Sequence, residues 1–125
     1  MKREHLEQFL NKGYQLGFSN PVEDPTRLGW ILICKREHDQ RYLSLLESGE
    51  EPEFVASQEL IRKCPYQVQV IEIRLEAVES DQTRSDDYFF NEVLHMATLD
   101  AVEEFVEKFG HRLEDIKWRK EINAP

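Results

Sequence analysis

Hydrophobic positions along this chain follow two spacings, and the changes between them mark the elements. In Lys2–Asn11, Leu6, Phe9 and Leu10 share one helical face at i, i+3, i+4, with Gly13 as the stop. Gly17 to Pro25 gathers Gly, Ser, Asn and two Pro and reads as a loop. Leu28–Lys35 carries the apolar run Trp30-Ile31-Leu32-Ile33-Cys34, of strand length. Arg41–Leu46 follows the turn-like His38-Asp39-Gln40, which predicts a β-hairpin. A helix over 38–47 is the alternative, because Tyr42, Leu45 and Leu46 also suit a helical period. After the loop Ser48–Pro52, Ser57 is expected to cap a short helix through Lys63, which Pro65 stops.

The second half is more regular. Tyr66–Val78 reads as one long strand, with Val68 and Val70 on one face and Ile71, Ile73, Leu75 and Ala77 on the other. The change of face at Val70-Ile71 predicts a bulge there, or a strand buried on both faces. Ser80–Asp87 is a polar loop without an apolar residue, and Phe89–Ala97 reads as extended. Thr98 is the expected N-cap of a helix with the stripe Leu99, Val102, Phe105, Val106 and Phe109, closed by Gly110 at C′. Ile116, Trp118 and Ile122 alternate with Lys117, Arg119 and Glu121 as a half-buried final strand. The expected fold is a single α+β domain over residues 1–125. It has a mainly antiparallel sheet of four to six strands, two or three helices packed on one face, and a strand–helix–strand ending. If the last two strands are neighbours they run parallel; skipped strands between them are equally allowed.

Charge changes this picture more than composition does. The net charge of the 125 residues is −9, and it is sorted. Residues 47–107 hold sixteen acids and four bases, whereas the segments on either side are slightly basic. Folding requires no such surplus; net charge bears on solubility and on what a surface attracts. No apolar run is long enough to span a membrane, and the start has no signal-peptide core, so a cytoplasmic protein with no membrane partner is expected. Cys34 and Cys64, the two cysteines, are expected as reduced, partly buried thiols.

Candidate chemistry is thin. His5, His38, His95 and His111 are dispersed, and Cys34 with His38 and Cys64 makes a weak metal set, so neither metal nor cofactor is expected. His95 beside Glu92 has the makings of a general base, and equally of an ordinary strand surface. The carboxylate pairs Glu72/Glu76, Glu76/Glu79 and Asp86/Asp87 lack a cleft to hold them apart. Asp81 to Asp87 lacks the alternating acids, central Gly and closing Glu of a calcium loop. There is no G-x-S-x-G motif, and Cys64 after Arg62-Lys63 is a structural thiol before it is a nucleophile. Lys117-Trp118-Arg119-Lys120 offers an aromatic between bases, but phosphate binding is dominated by charge and the chain is acidic, so nucleic acid is disfavoured.

No catalytic residue is assigned. The reading favours a small acidic, non-catalytic interaction or regulatory protein that binds a basic protein partner, an immunity or inhibitor protein being one concrete form. Its expected partner-binding residues are Glu47, Glu50, Glu51 and Glu53, then Glu79, Asp81, Asp86 and Asp87. A homodimer, with basic ends docked on the acidic middle of a second copy, is a further expectation. The alternative is a small enzyme or ligand-binding domain with a pocket between sheet and helices, using Tyr42, Tyr88, Trp30 or His95.

Overall fold

The two longest runs of β-branched and aromatic residues pair with each other and build the centre of the molecule. The computed structural model describes residues 1–80 and 84–125. In chain order the elements are α1 (Arg3–Asn11), β1 (Leu16–Ser19), β2 (Arg27–Lys35), α2 (Tyr42–Ser48), α3 (Pro52–Lys63), β3 (Tyr66–Arg74), α4 (Leu75–Glu79), β4 (Tyr88–Met96), α5 (Leu99–Glu107) and β5 (Lys117–Trp118). Short 3₁₀ turns lie at Ser85–Asp87 and Leu113–Asp115. The sheet is antiparallel throughout, in the order β4-β3-β2-β1-β5. An α+β fold with five strands is therefore what the chain adopts.

Register divides the side chains between two cores. Ile31 pairs with Val70 and Ile33 with Val68, while Leu16 and Phe18 of β1 sit opposite Ile33 and Ile31. These residues form one core with Leu6 and Leu10 of α1 and Leu99, Val102 and Val106 of α5. On the other face Trp30, Leu32, Ile71 and Ile73 pack with Ala77 of α4 and with Ile122. Removing each such side chain from water contributes about 1.5–3 kcal/mol, so the central strands carry much of the fold. Gly17 permits the second core to close at β1: a Cβ there would stand 2.9 Å from Leu32 and 3.3 Å from Ile122. The Trp30 indole donates to the Ile122 carbonyl at 2.7 Å and ties the last residues across this face.

Several elements depart from the sequence reading, each for a local reason. The expected hairpin strand at Arg41–Leu46 is instead the helical alternative, α2, ended by Gly49 at φ +72°; it packs on α3 and buries Tyr42 beside Glu59 and Arg62 of that helix. α3 begins at Pro52, whose fixed φ suits a first helical position, so Ser57 lies mid-helix and donates to the Phe54 carbonyl instead of capping. The loop read over 17–25 contains most of β1, where Gly17 and Ser19 belong to the ladder. β3 stops at Arg74: the Leu75 amide donates to the Thr26 carbonyl and the chain turns into α4. Val70 and Ile71 are both buried, so the strand is covered on both faces there, and the irregularity falls later, between Glu72 and Ile73, where Phe89 of β4 is the extra residue.

The helices also differ in number and place from the expected two or three on one face. Five are present among the described residues; α1 and α5 cover one face, α4 the other, and α2–α3 form a separate excursion between β2 and β3. α5 matches its reading closely: Thr98 Oγ1 accepts from the Ala101 amide at 3.1 Å, and Gly110 at φ +82° lets the His111 amide reach the Val106 carbonyl. β4 and β5 stand at opposite edges with three strands between them. β5 is only two residues long, because the chain turns after Trp118 where a continuing strand was expected.

Candidate functional site

Beyond the end of the main core, the face shared by β3 and β4 is left open and becomes the floor of a cleft. Val70 pairs with Glu92, and Glu72 with Phe90, so these four residues and Leu94 lie on the same face as the core. Phe105 of α5 and Phe109 in the turn just after it form one wall, with ring centroids 5.2 Å apart; Phe109 is 44% exposed and Phe90 40%. The segment Asn20–Asp24 forms the other wall, and the open cleft between them has a volume of about 790 Å³.

That second wall is fixed by specific contacts. The Asn20 amide donates to the Gly29 carbonyl at 2.8 Å, and a Cβ at Gly29 would strike the Asn20 oxygen at 2.4 Å. His111 Nε2 lies 2.9 Å from Asn20 Oδ1, and its ring stacks on Phe18 at 4.8 Å. Burial lowers the His111 pKa, with Asp115 opposing. Asp24 accepts from the Thr26 hydroxyl at 2.6 Å and from its amide at 2.9 Å, bonds that hold its carboxyl below the usual range. Arg27, the one base lining the cleft, lies 3.4 Å from Asp24 and over the Phe89 ring at 3.8 Å.

The chemistry of the cleft is thus an aromatic and aliphatic floor edged by Glu23, Asp24, Glu72 and Glu92. Glu72 and Glu92 meet no ion-pair partner among the described residues, so their charge is directed at solvent. Such a surface attracts a cation that also carries apolar area.

The residues expected from sequence to bind a partner lie elsewhere. Glu47, Glu50, Glu51 and Glu53 are exposed on α2, α3 and the turn between them. Glu79 and Asp86 are exposed beyond the far end of β3, where Asp87 accepts from the Arg84 amide and where Arg74 and Arg84 offset the acids. Asp81, and with it much of the calcium-loop comparison, lies outside the described residues. The first group lies on the α2–α3 excursion that precedes β3, and the second follows the far end of that nine-residue strand. Neither group lines the cleft.

Other candidates also separate. Glu92 pairs with Val70 and His95 with Gln67, which puts them on opposite faces of β4. No trio of His, Cys, Asp or Glu among the described residues is placed to hold a metal ion. Cys34 and Cys64 are free, half-buried thiols, and burial pushes the Cys34 pKa up, away from a nucleophilic thiolate. His38 packs edge-on against Tyr42, while Arg62 hydrogen-bonds Glu59 and holds its carboxyl at about 2; the cavity nearby on α2 and α3 is lined by Arg41, Ser44, Leu45, Glu51 and Phe54 instead. Of the residues considered for a pocket, Trp30 and Tyr42 are buried, and Tyr88 lines a different groove.

That groove, of about 1140 Å³, runs past Tyr14, Trp118, Arg119 and Lys120 to the last residues of the chain. Trp118 packs edge-on against Phe9 at 4.5 Å and Tyr14 at 5.6 Å, and Arg119 donates to Gln15. Its aromatic ring and its leading base are engaged within the protein, so the groove is a weaker site than the acidic cleft.

Fold and cleft together define an α+β protein with an antiparallel five-stranded sheet and an acidic, aromatic cleft over one edge of it. No protein family, curated protein or solved structure matches the chain. No helix among the described residues is long and apolar enough to cross a membrane.

Proposed function

We propose that this is a small, non-catalytic interaction protein that binds a basic protein partner through the cleft between β4, α5 and the Asn20–Asp24 segment. The observation that carries the reading is the pairing of unneutralised Glu72 and Glu92 with the exposed rings of Phe90 and Phe109 in one concavity. Aromatic residues supply contact area, and acids at the rim steer a cationic partner and raise its association rate. An inhibitor that covers the basic surface of another protein is one form of this activity. The half-buried free thiols of Cys34 and Cys64 suit the reducing cytoplasm.

The test compares the wild type with a Glu72→Gln/Glu92→Gln variant as baits in affinity purification at low salt, followed by a high-salt wash. A basic protein held by the wild type, released by salt and missing from the variant supports the reading. Recovery of the same proteins on both baits, or of none, overturns it. The cleft volume also lies within the roughly 300–1,000 Å³ range of small-molecule sites, which favours a cationic aromatic-binding ligand as the second reading. Saturable binding of a small quaternary amine that the same two substitutions abolish would select it.

A further inference from the structure

The sheet has two edges, and they are managed very differently. At one, β5 is the two-residue segment Lys117–Trp118. At the other, β4 offers nine residues that, among the described residues, are paired on one side only, so every second residue directs its N–H and C=O away from the sheet. Edge strands are usually blunted by Lys, Pro, a bulge or a cover. From Phe90 to Met96, β4 has no Lys, Arg or Pro, its irregularity lies at the start, at Phe89, and Val93 is 41% exposed.

We infer that the partner segment binds as an extended strand added to the free edge of β4, with Lys or Arg at alternate positions directed over the cleft. This rests on the reading of the cleft given above. The alternation follows from geometry: Phe90, Glu92 and Leu94 line the cleft, while Asn91, Val93 and His95 face the other way. An added strand sits about 4.8 Å from β4, and its side chains lie about 5 Å from those directly opposite. One parity of the incoming strand therefore meets Phe90 and Glu92, with Glu72 one strand further in, about 10 Å away and within reach of an extended Lys or Arg over the cleft; the other meets Asn91, Val93 and His95. Cations suit the first set and neutral β-formers the second. A second copy of this chain is a poorer occupant, because its own β4 holds no Lys or Arg to answer Glu72 and Glu92, and each copy carries −9.

The experiment uses labelled peptides as long as β4, read by fluorescence anisotropy at low salt against the full chain. One peptide alternates Lys with Thr, and a second has the same composition with its lysines in a block. Two more carry N-methyl groups on the backbone of the lysines only or of the threonines only. Strand addition predicts that the alternating peptide binds at least about tenfold tighter than the blocked one, equivalent to 1.4 kcal/mol. It also predicts that just one of the two N-methyl sets loses binding, since alternate amides face β4. Equal binding of all four peptides, each weakened by Glu72→Gln/Glu92→Gln, overturns strand addition while leaving the acidic cleft as the binding site. Absence of any binding sensitive to those substitutions overturns both. A dimer in sedimentation velocity that persists under excess alternating peptide assigns the edge to a second copy and also overturns the inference.

Discussion

Tyr42 is fully buried, with its hydroxyl close enough to the Glu59 carboxylate to help lower that group's pKa but without a well-formed hydrogen bond to it or to Arg62. A buried hydroxyl without a partner forfeits its bond to water and gains nothing in return. Tyr42→Phe keeps the ring against His38 and removes only that oxygen, so the urea midpoint is expected to rise; a fall would mean that the hydroxyl holds a bond worth more than its burial costs. His111 gives a prediction in pH. Its folded pKa is lowered by burial, so the unfolded chain takes up the proton first. Stability is complete above the ordinary imidazole value of about 6.5 and declines as pH falls through it toward the lower folded value. Urea midpoints at about pH 7.5 and about pH 5.5 should differ less in His111→Gln, which retains a donor toward Asn20 but no titrating ring. An unchanged difference would place the acid sensitivity at other groups.

The elements are not equally secured. α2 and α3 pack chiefly on each other, and their buried residues, Tyr42 and Val55, belong to neither core of the sheet. Hydrogen exchange should therefore show α2–α3 amides opening locally, well before those of β2 and β3, which exchange only on global unfolding. Equal protection in both would refute this. The same weakness explains what was legible in the sequence. α5 could be read because its cap, stripe and closing glycine agree, and its stripe meets a core. α2 fits either period over so few residues that Tyr42, Leu45 and Leu46 do not decide it. Gly17 and Ser19 look like loop residues until Leu32 and Ile122 require a missing Cβ at Gly17. The cleft was hidden for a different reason. Glu72 and Glu92 are twenty residues apart and become diagonal neighbours only through the β3–β4 register, and Phe109, read as part of a core stripe, extends past the core it was assigned to. Local runs of acids, such as Glu47–Glu53, are conspicuous in sequence but contribute nothing to the lining of the cleft.

At the scale of the whole molecule, the acidic surplus has two consequences of opposite sign. The ion pairs present are mostly exposed, Arg3 with Glu7, Asp100 and Glu103 among them, and exposed pairs contribute roughly 0–1 kcal/mol each. They leave an excess of nine negative charges, whose mutual repulsion is strongest in the compact state. Raising monovalent salt from about 0.01 M to about 1 M shortens the Debye length from roughly 30 Å to roughly 3 Å and screens that repulsion. The melting temperature of the free protein should therefore rise with salt. Capture of a basic strand by Glu72 and Glu92 depends on the attraction that the same ions screen, so its affinity should fall over the same range. Melting curves and peptide titrations in one salt series separate the two effects. Folding and binding that strengthen together with salt would show that apolar burial, not the acids, governs the cleft; weakening of both would show that the ion pairs outweigh the surplus in holding the fold.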